Sequence, residues 1–347
     1  MATDGRPRRA LVAGAAGFIG SHLCDALVRR GMKVVGIDSF WTGRPQNIAH
    51  LKQDPSFTFL QLDIIDPLPL SLRADLIFNL ACAASPPHYQ IDPVHTMLTN
   101  VLGTRNLLAL AADCGARFVL ASTSEVYGDP LMHPQTEEYW GNVNPVGPRS
   151  CYDEGKRAAE SLVFDYLRAG RADVKVGRIF NTYGPRMRAD DGRVVANLIT
   201  QALRNADLTI YGDGSQTRSF CYVDDLVEGL VRLASYERPL PRPINLGNPT
   251  ELTVSELARK VQQLTGCRSR IVEKPLPVDD PKRRRPNIET AQELLDWTPH
   301  VPLASGLGKT IEWFAADLLS AEPTERRGKR PNGRAARRAG LSPASTA

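Results

Sequence analysis

Tyr152 and Lys156 stand four residues apart, a spacing that on a helix brings both side chains to one face. An ammonium beside a phenol favours the phenolate and lowers a pKa that is ordinarily about 10. The phenolate is then a usable base for a substrate hydroxyl at neutral pH. Such a pair is common by chance, and it gains weight from what precedes it. Ser122-Thr123-Ser124-Glu125 places hydroxyls and a carboxylate at the end of an apolar run, and Gly14, Gly17 and Gly20 form a GxxGxxG turn after the first such run. Glycines at that spacing let a pyrophosphate approach the backbone at a helix N-terminus, where free N–H groups and the dipole favour an anion. Asp38, 18 residues beyond Gly20, ends the second apolar run. A carboxylate there accepts ribose hydroxyls and repels a 2′-phosphate, so the pattern points to NAD over NADP, with Arg44 close by as a counter-signal. Asp63 ends the third run and reads equally as an acceptor for an adenine amino group or as a loop cap.

Residues so far apart in sequence need a scaffold that gathers them at one edge. Apolar runs at Ala10–Ala13, Lys33–Ile37, Phe57–Leu62, Leu76–Leu80, Phe118–Ser122 and Val174–Phe180 predict strands, with helix-period segments between most of them. This alternation predicts an α/β fold, a Rossmann-type doubly wound parallel sheet with right-handed crossovers and its chemistry at the carboxyl ends of the strands. The first helix, expected over Ser21–Arg30, aligns Ile19, Leu23, Ala26 and Leu27 in one stripe and stops at Gly31. From residue 181 the pattern loosens into short strands (Leu208–Tyr211, Ile244–Leu246, Arg270–Glu273) and separate helices, one opened by a Thr253/Glu256 capping box. We expect residues 9–180 to form the dinucleotide-binding domain, with later segments returning to it. Residues 181–318 then form mainly a smaller C-terminal α/β substrate lobe; one continuous domain with a decorated edge is the alternative.

Eight segments carry a resemblance that spans residues 9–316: Gly14–Leu23, Ala84–Tyr89, Ala121–Pro130, Tyr152–Arg157, Arg178–Met187, Asp191–Val195, Tyr211–Asp225 and Asp279–Pro286. In these the chain resembles the extended short-chain dehydrogenase/reductases, and among them the UDP-glucuronate decarboxylases, carboxy-lyases that use NAD in a closed redox cycle. The resemblance implies Tyr152, Lys156, Thr123, Ser124 and Glu125 as catalytic residues. It implies a cofactor site at Gly14, Gly17, Phe18, Ile19, Gly20, Asp38, Ser39, Phe40, Thr42, Asp63, Ile64, Leu80, Cys82, Thr99, Tyr152, Lys156 and Thr182. For a UDP-sugar it implies Asn106, Asn181, Arg186, Arg193, Tyr211, Arg218 and Arg284, with guanidinium groups suited to phosphate and carboxylate. Tyr183 resembles a further position beside substrate and nicotinamide. A homodimer built on the helix of Tyr152, with Leu162, Val163 and Tyr166 in contact, is implied as well. Cys82-Ala83 and Leu98 depart from the expected Ser-Pro and Lys. Ser124 decides within the family: related 4,6-dehydratases resemble this chain but carry an Asp there to expel water, and a decarboxylase, which loses carbon dioxide, needs no such acid. Another nucleotide-sugar epimerase or a 4,6-dehydratase is the nearest alternative. A non-catalytic dinucleotide sensor is the more distant one, disfavoured because a sensor has no use for an activated Tyr152.

The formal charge of +5 raises the question of a polyanionic partner. Residues 321–347 hold seven basic and two acidic side chains, so the first 320 residues are neutral with 36 of each sign. The end of the chain, 320–347, is rich in Arg, Ala, Gly, Pro and Ser, and reads as a disordered basic tail. We therefore expect no nucleic-acid partner. No apolar run is long enough to span a membrane, and none resembles a secretion signal. Six scattered cysteines without a CxxC pair predict free thiols and a cytoplasmic location, and the histidines show no metal-ligand spacing.

Overall fold

Strands flanked by helices on both sides are covered on both faces, which is why the first-half strands read as nearly unbroken apolar runs. A computed structural model describes residues 8–275 and 283–321. Its central sheet contains β1 (Arg9–Ala13), β2 (Lys33–Asp38), β3 (Phe57–Gln61), β4 (Leu76–Asn79), β5 (Arg117–Thr123) and β6 (Val174–Ile179). These pair in the order 3-2-1-4-5-6, all parallel, and Ile244–Leu246 extends the sheet beside β6. Each boundary lies within about two residues of the sequence expectation.

Two hydrophobic layers sandwich the sheet. On one face α1 (Phe18–Arg29) and the Val223–Ser235 helix bury Leu23, Leu27, Leu226 and Leu230. On the other, the helices Thr104–Cys114 and Ser150–Arg168 bury Leu107, Leu108, Ala159 and Val163. Chain order reverses between β1 and β4, and a crevice opens there at the carboxyl ends of the strands. The first helix begins at Phe18 rather than Ser21, so Phe18, Ile19 and Gly20 form its first turn, and Gly31 follows its end at φ +75°.

The smaller lobe is built from short pairings. Leu208–Tyr211 lies parallel to Ile271–Lys274, and Thr217–Ser219 runs between Glu251–Thr253 and Arg283–Arg284. The capping box at Thr253 and Glu256 starts the Val254–Thr265 helix. Later chain returns to the sheet through Val223–Ser235 and Ile244–Leu246, and the helix Leu303–Ala321 follows. Apart from residues 320 and 321, the expected tail lies outside the described residues, as do residues 279–282 of the Asp279–Pro286 segment. Among the described residues no helix is long and apolar enough to cross a membrane, and no His, Cys, Asp or Glu cluster could hold a metal ion.

Candidate active site

The glycine turn is dictated by contact. A Cβ on Gly20 would stand 2.0 Å from the Gly14 carbonyl oxygen, and one on Gly14, itself at φ +82°, would stand 2.8 Å from the Leu80 backbone. Gly14 N–H and Ala15 N–H donate to the Ile37 carbonyl, which ties the turn to β2. At the end of β2, Asp38 accepts hydrogen bonds from Ala16 N–H (2.9 Å) and Phe40 N–H (2.8 Å). Burial raises the pKa of this carboxyl, and those two N–H groups oppose the rise.

Past Asp38 the walls of the crevice are formed by Ser39, Thr42, Asp63, Ile64, Leu80, Cys82 and Thr99. Asp63 serves both of its expected readings: Oδ1 accepts Ile65 N–H as a cap, and Oδ2 meets His95 Nε2 at 2.8 Å on the crevice wall. Phe40 does not line the crevice. Its φ of +62° turns the ring against Phe59, and its backbone N–H is what reaches Asp38. Arg44, the counter-signal, is held at both ends of its guanidinium by Asp317 (2.6 and 2.9 Å).

The crevice continues from Gly14, Gly17, Phe18, Ile19, Gly20 and Thr42 to the ends of β5 and β6, where Thr123, Ser124, Tyr152, Lys156, Asn181 and Thr182 converge. The Ser150–Arg168 helix carries Tyr152 and Lys156, 6% and 3% exposed. The Tyr152 ring stacks parallel on Tyr89 with centroids 5.3 Å apart. Burial pushes the phenol up, Cys82 adds to the rise, and a hydrogen bond with the Thr123 side chain opposes it. Lys156 Nζ donates to the Ala121 carbonyl at 3.0 Å, and burial lowers its pKa. The lowered phenol pKa expected from the Tyr–Lys spacing is thus absent from this structure, because desolvation of the ring outweighs the help it receives.

Glu125 follows β5 in a single helical turn, Ser124–Tyr127, whose start is fixed by Glu125 N–H donating to Thr123 Oγ1. Its carboxylate lies between Arg149 (2.6 Å) and Arg284, whose Nη2 is 3.0 Å away. Burial alone would raise the Glu125 pKa, but Arg284 and Arg149 overcome it and hold the group down at about 2. Asp153 lies one helical turn beyond Arg149; burial first, then Glu125, push it up to about 7. Arg149 was not singled out from sequence, although its place one turn before Tyr152 is a signal that could have found it.

Beyond Tyr152 a cavity of about 570 Å³ opens into the smaller lobe, lined by Arg193, Tyr211, Arg218, Phe220 and Arg284 among others. The parallel pairing of Arg283–Arg284 with Thr217–Ser219 sets Arg284 opposite Arg218, which explains how positions 66 residues apart face one cavity. Arg193, paired with Asp191, borders both this cavity and the crevice.

Several expectations need correction. Asn106 is away from every cavity: its amide donates to the Ile64 and Ile65 carbonyls and pins the loop after β3. Arg186 lines the glycine-turn end, not the sugar cavity, and is bound to Asp25 at 2.7 Å. Tyr183 is buried with its hydroxyl donating to the Leu303 carbonyl. Leu98 is 41% exposed and borders none of the three cavities, so no cavity cation is lost there.

Comparison with known proteins agrees with this geometry. The NAD dependent epimerase/dehydratase family matches residues 10–247. UDP-glucuronic acid decarboxylase 4 of Arabidopsis thaliana is 54% identical, over 88% of this chain and 68% of its own. UDP-glucuronic acid decarboxylase 1 of Danio rerio is 51% identical, over 90% of this chain and 73% of its own. The UDP-glucuronic acid 4-epimerase of Bacillus cereus, solved with UDP-glucuronic acid and NAD, superimposes with a TM-score of 0.79 at 29% identity, covering 89% of this chain and 99% of its own. The chain belongs to the NAD dependent epimerase/dehydratase family, among the UDP-glucuronic acid decarboxylases.

Proposed function

We propose that this enzyme decarboxylates UDP-glucuronate to UDP-xylose through a 4-keto sugar. The observation that carries the reading is the meeting of crevice and cavity at Tyr152, with Thr123 on one side and a group of buried arginines on the other. The glycine turn and Asp38 fit NAD, since no side chain could be added at Gly14 or Gly20 and the carboxylate faces the crevice. Bound NAD⁺ takes the hydrogen at C4 as hydride and later returns it, so the cycle has no net redox change.

Tyr152 takes the C4-hydroxyl proton while Thr123 accepts or donates at the same oxygen. The resulting ketone is β to the C5 carboxylate, and carbon dioxide leaves as an enolate forms. Arg284, Arg218 and Arg193 supply the cations for the phosphates and the sugar carboxylate. Glu125 was expected to help deliver a proton at C5; a carboxyl held at about 2 is ionised at neutral pH. Its role in this reading is to orient Arg149 and Arg284, and the Ser124 hydroxyl, which also lines the crevice, stands nearer to the protonation step.

A homodimer is part of the proposal. Val163 cannot serve as its contact because it is fully buried in its own core. Ile91, Val94 and Leu98 replace it, spaced as one helical stripe on and beside the Pro93–Leu98 helix, and 68%, 67% and 41% exposed. Incubation with UDP-glucuronate and NAD⁺ tests the activity: carbon dioxide and a UDP-pentose are expected by mass spectrometry. Formation of a UDP-hexuronate epimer without carbon dioxide would overturn it in favour of epimerisation.

A further inference from the structure

The loop after β2 holds a cation where a second cofactor chemistry would need one. Gly43 packs so closely on Asp38 that a Cβ there would stand 2.6 Å from the carboxylate oxygen, and the next residue is Arg44. Arg44 N–H donates to the Ala16 carbonyl at 2.9 Å, which fixes its backbone against the glycine turn. A guanidinium in this neighbourhood is the group that accommodates a ribose 2′-phosphate in dinucleotide sites. In this chain it is turned elsewhere. Both Asp317 carboxylate oxygens accept from it, at 2.9 and 2.6 Å, and it lies 5.7 Å from the centre of the Trp313 ring. Both acceptor and ring belong to the Leu303–Ala321 helix, 273 residues away in sequence, and the two charged side chains are only 22% and 18% exposed. Two parallel charge-assisted hydrogen bonds in a half-buried setting define one direction for the guanidinium.

We propose that Asp317 is a specificity-determining residue: by holding Arg44 against the C-terminal helix it denies a 2′-phosphate its cation, and so selects NAD over NADP. Asp38 repels the 2′-phosphate from one side, and Asp317 withdraws the group that would neutralise it from the other. Asp317 touches no part of the cofactor and acts through Arg44. The inference rests on the reading of the crevice as a dinucleotide site, which the NADH arm of the experiment checks separately.

Full-length protein, freed of copurified dinucleotide, is titrated with NADH and with NADPH by fluorescence, for wild type, Asp317→Ala, Asp317→Glu and Arg44→Ala/Asp317→Ala. Asp317→Ala should tighten NADPH binding about tenfold, the scale of one new charge-assisted contact, with NADH affinity unchanged. Asp317→Glu, which keeps the ion pair, should restore the wild-type preference, and the double variant should lose the gain. Unchanged NADPH affinity in Asp317→Ala with NADH binding intact would overturn the proposal. So would a gain that survives removal of Arg44, or equal loss of both ligands, which would make the pair a structural strap only. Wild-type protein that fails to bind NADH would overturn the dinucleotide reading itself.

Discussion

Tyr152 is the residue on which the chemistry turns, and its surroundings make it an expensive base until ligands are in place. Burial raises its phenol, and Thr123 alone favours the ionised form among its neighbours on the substrate side. Replacing it with Phe removes the proton acceptor and leaves the arginine-lined cavity intact. Turnover should fall by at least about a hundredfold, the scale of lost general base catalysis, while UDP binding measured calorimetrically stays near wild type. Retained turnover would count against Tyr152. Asp153 offers a second test, in stability. Its ordinary value is 3.8, and in the fold burial and Glu125 push it up to about 7 against Arg149 and Arg284. Between those values the native state binds a proton that the unfolded chain has released, so stability falls as pH rises through the window. Glu125 acts oppositely: its value drops from 4.5 to about 2, so its contribution is present above 4.5 and disappears as pH falls towards 2. Asp153→Asn should therefore flatten the decline between about pH 4 and 7, by an amount on the order of a few kcal/mol. Denaturant titrations at pH 5 and pH 8 read it, and an unchanged difference between the two would refute the assignment.

At the scale of elements, the glycine turn makes the sharpest claim. Gly20 sits inside the first turn of α1, where the helix touches the Gly14 carbonyl with no room for a methyl group. Gly20→Ala should force the turn open at a cost of about 1–3 kcal/mol and weaken NADH binding, seen as a lower thermal midpoint and a raised dissociation constant. A variant with wild-type values for both would mean that the turn yields freely. That helix also marks where sequence reading ran out. Its apolar stripe and Gly31 were legible, but its start was placed at Ser21, because the glycine-rich lead gives no periodic signal while Gly17 in fact begins the helix. The six strands β1 to β6 were legible because each is a buried run of four or more residues. Ile244–Leu246 was found as a strand, but three residues carry no sign of which sheet they join. In the site, spacing identified Tyr152 and Lys156, since both lie on one helix. Nothing local relates Glu125 to Arg284, 159 residues later; their pairing comes from the docking of Arg283–Arg284 on Thr217–Ser219. Asn106 misled for the opposite reason: a polar residue on a helix looks the same whether it meets a ligand or a loop carbonyl.

For the whole molecule, charge and apolar surface together bear on association. The basic excess lies entirely beyond residue 321, so the folded body, with 36 charges of each sign, carries no net repulsion against a second copy. On that body Ile91, Val94 and Leu98 present an apolar stripe, and the Pro93–Leu98 helix packs on the Ser150–Arg168 helix that carries Tyr152 and Lys156. A partner seated on the stripe would cover exposed aliphatic side chains, each worth about 1.5–3 kcal/mol when fully buried, and would brace the catalytic helix from outside. Placing two carboxylates in the stripe with Val94→Asp/Leu98→Asp should convert a dimer to a monomer, since an unpaired charge in an apolar interface is strongly disfavoured. Light scattering during size-exclusion chromatography measures this directly. Wild-type protein that elutes as a monomer, or a double variant that remains dimeric, would place the interface elsewhere on the surface. A monomeric variant with weakened turnover but intact NADH binding would further indicate that the second copy supports the Tyr152 helix and not the glycine turn.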